Sequence, residues 1–151
     1  MTVESYWQTS FVWPGGNVWI DEEPSTVGFS SPPPHHPIPT NRVIQKDQDI
    51  HVHFRWNVSG LLHQLLVGSC EWIGNVYLER MGPGEGPAVP SQTVSFNASG
   101  AYALDVQIAG NTLPVGVYRV VTTLRARHIT HGIMLPVAGF EDERLIEIYE
   151  A

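Results

Sequence analysis

Residues 111–127, NTLPVGVYRVVTTLRAR, place a Pro/Gly corner directly before a long alternation of side-chain type. Tyr118, Val120, Thr122 and Leu124 fall on one side, and Arg119, Val121, Thr123 and Arg125 on the other. A period of two belongs to a half-buried β-strand, because successive side chains leave a strand on opposite faces. The same period recurs twice. Ile50, Val52, Phe54, Trp56 and Val58 alternate with His51, His53, Arg55 and Asn57. Tyr102, Leu104, Val106 and Ile108 alternate with Ala103, Asp105 and Gln107. Shorter strands are predicted over 42–44, 72–81, 94–96 and 145–149, the last with Ile146 and Ile148 inward. Residues 59–69 read as a loop in which Leu61-Leu62 and Leu65-Leu66-Val67 make a helical turn, and residues 127–143 as a long, apolar connection. Some seven strands with turn signals between them and no amphipathic helix give an all-β chain.

A tyrosine that opens a strand just after a Pro/Gly corner is what β-sandwiches use where strands E and F meet. Leu113-Pro114-Val115-Gly116 followed by Tyr118 therefore resembles the E–F corner of an immunoglobulin-like or fibronectin-type-III-like fold. The resemblance implies an antiparallel two-sheet sandwich over residues 42–151. It makes 50–58 strand B, 72–81 strand C, 102–108 strand E and 145–149 strand G, with Trp72 as the inter-sheet tryptophan. It also implies that Tyr118 turns its hydroxyl back to backbone a few residues upstream.

Residues 1–41 differ in character. Tyr6, Trp7, Phe11, Trp13 and Trp19 crowd the first twenty positions, with residues 11–13 and 17–20 predicted as two short strands around Pro14-Gly15-Gly16. An acidic group, Asp21-Glu22-Glu23, precedes the run Pro32-Pro33-Pro34-His35-His36-Pro37-Ile38-Pro39, which favours extended polyproline II. A disordered tail is poor in aromatics, so this composition predicts an arm that packs, either on its own sandwich or on a neighbour.

The 151 residues suit one sizeable core, and the single cysteine, Cys70, excludes an internal disulfide. A net charge of -7 with Lys46 as the only lysine lacks the positive field that nucleic acid or an anionic membrane requires. No signal peptide and no apolar run of spanning length is visible, which gives a cytoplasmic expectation by default.

Histidines are the first candidates for chemistry. His51 and His53 share a strand face, as paired ligands do in cupins, but a cupin-like pattern wants a carboxylate four residues past the second histidine, and Asn57 stands there. His63 in the B–C connection and His128 and His131 in the F–G connection lie at the opposite pole, where one end of a sandwich gathers both loops. These three form the alternative metal set; no metal or cofactor is expected otherwise. There is no GxSxG elbow and no Gly-rich phosphate loop, and no base stands ready for a nucleophile, so no catalytic residues are assigned and an enzyme is not expected.

Apolar surface outside the expected sandwich is the remaining signal. Trp7, Phe11, Trp13 and Trp19 in the arm, with Ile133, Met134, Leu135 and Phe140 in the F–G connection, are the candidate interface. The expectation is a non-enzymatic structural or assembly protein that self-associates through these groups. The alternatives are a module binding a protein, glycan or small ligand through the B–C and F–G loops, and a histidine-dependent metal-binding protein.

Overall fold

The computed structural model describes residues 1–5, 10–22, 42–82 and 86–150. Trp7 and the Pro-rich run 32–39 lie outside these residues. Among them nine strands and one short helix follow in order: β1 Thr2–Ser5, β2 Gly16–Glu22, β3 Val43–Gln45, β4 Ile50–Asn57, α1 Leu61–Leu66, β5 Cys70–Arg80, β6 Gln92–Ser95, β7 Ala101–Ile108, β8 Gly116–His128 and β9 Met134–Tyr149. The larger sheet runs β1-β9-β8-β5-β6, with β3 also on β9, and the smaller runs β2-β4-β7. All pairings are antiparallel except β3 on β9. Strands β4 and β7 against β8, β9 and β5 give the two-sheet, immunoglobulin-like sandwich that the resemblance of the corner implied.

The inward faces are those read from the sequence. Phe54, Trp56, Leu104, Val106, Tyr118, Val120, Leu124 and Ile148 are all buried between the sheets. Trp72 sits at the centre, stacked on Phe96 at 5.1 Å between ring centroids and edge-on to Trp13 at 4.9 Å and Trp56 at 5.5 Å. The corner also has its expected bond: the Tyr118 hydroxyl donates to the Pro114 carbonyl at 2.8 Å. Upstream, Asn111 takes φ 62, a left-handed conformation that asparagine tolerates better than most residues, and its N–H reaches the Lys46 carbonyl at 2.7 Å.

Three expectations change. The first concerns residues 1–41, whose described parts are woven into the sandwich. β1 lines β9, β2 forms an edge of the smaller sheet, and Val12 makes an isolated bridge to Ser59 in place of a hairpin with β2. Phe11 and Trp13 belong to the central core, and Trp19 is buried as well. The reason is shape: β5 and β9 leave a space beside Trp72 that the chain's own aromatics fill. At Gly139 a Cβ would collide with the Trp13 ring, so glycine lets the indole lie on the β9 backbone.

The second change is the F–G connection. β8 runs on to His128 and β9 begins at Met134, so only residues 129–133 turn. Pro136 stands inside β9 although proline cannot donate to a ladder. The register between β8 and β9 shifts between Arg125 and Arg127, and Pro136 falls within this irregularity, where a missing N–H costs no regular bond. The acidic group at 141–143 lies within β9, where the Asp142 carboxylate accepts from Arg119 at 2.8 Å.

The third change is the metal alternative. His63 is fully buried in the aromatic core, while His128 packs on His131 at 4.8 Å between rings. Among the described residues no three His, Cys, Asp or Glu side chains converge on a metal position, so His63, His128 and His131 do not form a set.

Candidate interaction surface

One pole of the sandwich is built from loops that carry no charged side chain. Residues 10–14, 58–69, 97–100 and 128–134 contain neither Asp, Glu, Lys nor Arg. Backbone bonds knit them together. Val12 and Ser59 exchange N–H···O bonds of 2.8 and 2.9 Å, Leu62 N–H reaches Ser10 at 3.0 Å, and Ile129 N–H reaches Ser69 at 2.9 Å. The Gln64 amide ties the helix to the Ala98 carbonyl at 3.1 Å.

The helix α1 divides its leucines by spacing. Leu62 and Leu66, four apart, turn toward the core, and His63 is buried beside them. Leu61 and Leu65, also four apart, point outward and are 71% and 70% exposed. Ile133 at 63%, Ile129 and Met134 at the β8–β9 turn, and Val12 in the N-terminal segment, are exposed as well. Of the residues expected at an interface, Ile133 and Met134 are on this pole. Leu135 is partly buried against the core, and Phe140 is exposed on the outer face of the larger sheet. Phe11 and Trp13 are in the core, and Trp19 is buried on the outer face of the smaller sheet beneath His53 and Arg55. Leu61, Leu65 and Ile129 were not singled out by the sequence; the leucine pair at four-residue spacing in an uncharged stretch was the signal that could have found them.

Beneath the pole a buried hydrogen-bonded pair sits in the aromatic core. The Tyr102 hydroxyl and His63 Nε2 share a hydrogen bond of 2.6 Å, and the hydroxyl oxygen accepts from the Asn97 N–H at 3.1 Å. Burial pushes the His63 imidazole below its ordinary range, which favours the neutral ring. Burial likewise raises the Cys70 thiol, which disfavours the thiolate. Phe11, Phe96 and Trp72 pack around these groups.

A second polar cluster lies on the outer face of the smaller sheet. His53 Nδ1 meets Asp105 at 2.7 Å and Nε2 meets Asp21 at 3.0 Å, so one imidazole links β2, β4 and β7. Its ring stacks on Trp19 at 4.9 Å, and the Arg55 guanidinium lies 5.2 Å over the same indole while bonding Asp105 at 2.7 Å. Burial works to lower the His53 pKa, but the two carboxylates outweigh it and raise it. Burial would raise Asp105; the bonds and charges of His53 and Arg55 hold it at about 2. The cluster covers Trp19 and cross-braces the sheet.

No family model matches the chain, and no curated protein matches it. Among solved structures it is similar to the CARDB domain of the PF1109 protein from Pyrococcus furiosus, crystallised in complex with di-metal ions. That likeness covers 95% of this chain and 100% of the other at 13% identity, with a TM-score of 0.47. The chain's own topology makes it an immunoglobulin-like β-sandwich module. Among the described residues no helix is long and apolar enough to cross a membrane.

Proposed function

We propose that this protein is a non-enzymatic, immunoglobulin-like interaction module that self-associates through its uncharged pole. The observation that carries this reading is the group Leu61, Leu65, Ile129, Ile133 and Met134, exposed together on loops without a single charge. Exposed apolar patches of this kind mark contact sites, because water leaving them is the main gain of association. The occupant follows from electrostatics. A chain of net charge -7 repels its own copies, and the repulsion is weakest where neither surface carries charge. The firm aromatic base under α1 lowers the ordering cost of docking.

Light scattering coupled to size exclusion tests the reading. The wild-type chain is expected above its 16.8 kDa monomer mass, and Ile133→Asp and Leu65→Asp each shift it toward the monomer without loss of strand signal. A wild-type monomer at high micromolar concentration, or an assembly indifferent to both variants, overturns the proposal. A histidine-dependent metal function has no observation in its favour, and binding of a different protein at the same pole would show as a monomer that these two variants leave unchanged.

A further inference from the structure

An exposed strand edge presents a row of unpaired N–H and C=O groups, and natural sheets blunt such edges by shortness, charge, proline or cover. Most edges here are managed. β1, β3 and β6 have only 4, 3 and 4 residues. β2 ends in the carboxylates Asp21 and Glu22. β5 beyond Gly74 loses its partner β6, but residues 86–89 screen it across a groove of about 530 Å³, with Gly86 packed on the Leu78 carbonyl.

β7 is different. It pairs β4 along its whole length, Ala101 to Ile108, without a bulge, and among the described residues no strand is hydrogen-bonded to its other edge, where Ala101 is met locally, its N–H donating to Ser99 Oγ at 3.2 Å and its carbonyl accepting from Asn97 Nδ2 at 3.0 Å. It contains no proline, glycine or lysine, and alternates exposed and buried side chains without a break. Its one charge, Asp105, is already met by His53 and Arg55. We infer that β7 is a strand-addition site whose occupant is β7 of a second copy, joining two smaller sheets into one continuous antiparallel sheet.

The register follows from chemistry. Residues directly opposite in an antiparallel pair share a face, so even numbers must meet even and odd meet odd. A two-fold axis through Asp105 would set two carboxylates directly opposite each other, which is unfavourable. An axis through Leu104 sets Asp105 opposite Ala103 of the other copy, Tyr102 opposite Val106 and Ala101 opposite Gln107. In that arrangement each inward residue meets an inward residue and no like charges face. The contact is isologous and therefore closes as a dimer. It lies along a sheet edge that meets the pole only at its Ala101 end, and does not depend on the pole's role.

The test uses the full chain carrying Ile133→Asp, which silences the pole. Sedimentation velocity is expected to show a residual, concentration-dependent dimer, and amides of residues 101–108 to exchange more slowly in concentrated than in dilute protein. Adding Ala103→Asp sets two symmetry-related carboxylate pairs face to face and is expected to weaken the dimer about tenfold or more. Ala103 is exposed and opposite Arg55 within its own sheet, so the chain tolerates an aspartate there. Ala103→Lys is expected to keep the dimer, since it faces Asp105 of the second copy. A monomer at every concentration with β7 exchange unchanged on dilution overturns the inference, as does a dimer that survives Ala103→Asp.

Discussion

Trp13→Ala measures whether the N-terminal segment belongs to the sandwich. Trp13 is 6% exposed, its ring lies edge-on to Trp72 at 4.9 Å, and its indole N–H donates to the Gly15 carbonyl at 3.0 Å. Truncation removes the transfer energy of the indole and leaves a cavity between Trp72 and the Gly139 backbone, which cannot close because β9 is held by β8 on one side and β1 on the other. Buried Trp→Ala changes cost about 3–5 kcal/mol, a large share of the roughly 5–15 kcal/mol that holds a domain together. At about 2–4 °C per kcal/mol for a chain of this size, the melting temperature should fall by about 6–20 °C. Urea unfolding followed by far-ultraviolet circular dichroism gives the free energy directly, and repeating it at two protein concentrations separates folding from association. The expected result is a lower midpoint with an unchanged slope, the same at both concentrations. A loss below about 1 kcal/mol, or one that appears only at the higher concentration, would refute an intramolecular role for Trp13.

Two further outcomes follow from the hydrogen bonds. Tyr118→Phe removes the bond to Pro114 and should cost about 0.5–1.5 kcal/mol in the same urea assay; Pro114 is exposed, so water re-satisfies its carbonyl and keeps the loss within that range, and unchanged stability would deny the corner its anchor. His53 gives a pH signature: its folded pKa is raised, so its contribution is fully present below the ordinary value near 6.5 and fades as pH rises through the higher folded value. The groups facing it are Asp21 on β2, His51 and Arg55 on β4 and Asp105 on β7. In His53→Gln, the decline in stability on going from pH 6 to pH 8 should be smaller than in wild type, and an identical pH profile would show that the two carboxylates do not hold the proton.

Much of the sandwich was legible because its strands are half-buried. A strand with one wet face writes its orientation into every second residue, as in Ile50 to Val58 and Tyr118 to Leu124, and the corner tyrosine adds a local landmark. The first half of β9 was not legible. Its sequence, MLPVAGF, lacks alternation because Ala138 and Gly139 are small and Pro136 sits at a register shift. The destination of the aromatics was equally hidden. Phe11 and Trp13 look the same whether they fill a cleft in their own chain or in another, and only the space beside Trp72, made by residues far away in sequence, decides it. The pole was half legible: Ile133 and Met134 stood out by hydropathy, whereas Leu61 and Leu65 needed the helix to reveal which leucines face out.

The placement of β9 also sets an order of events in time. β1 and β3 lie along the same edge of β9, one antiparallel to its first half and the other parallel to its last residues, and β8 holds the opposite edge. Both early strands must wait for a partner made after the other described strands. At roughly 5–20 residues per second, the interval between synthesis of residue 5 and residue 134 is about 6–26 s. During that interval Ile44 has no β9 to cover it and Trp13 no Gly139 to lie on, while the smaller sheet can already form from β2, β4 and β7. The emerging chain is thus half a sandwich with its inner face open, so its exposure to chaperones and to misplaced strand pairing falls chiefly in the time before its final strand is made.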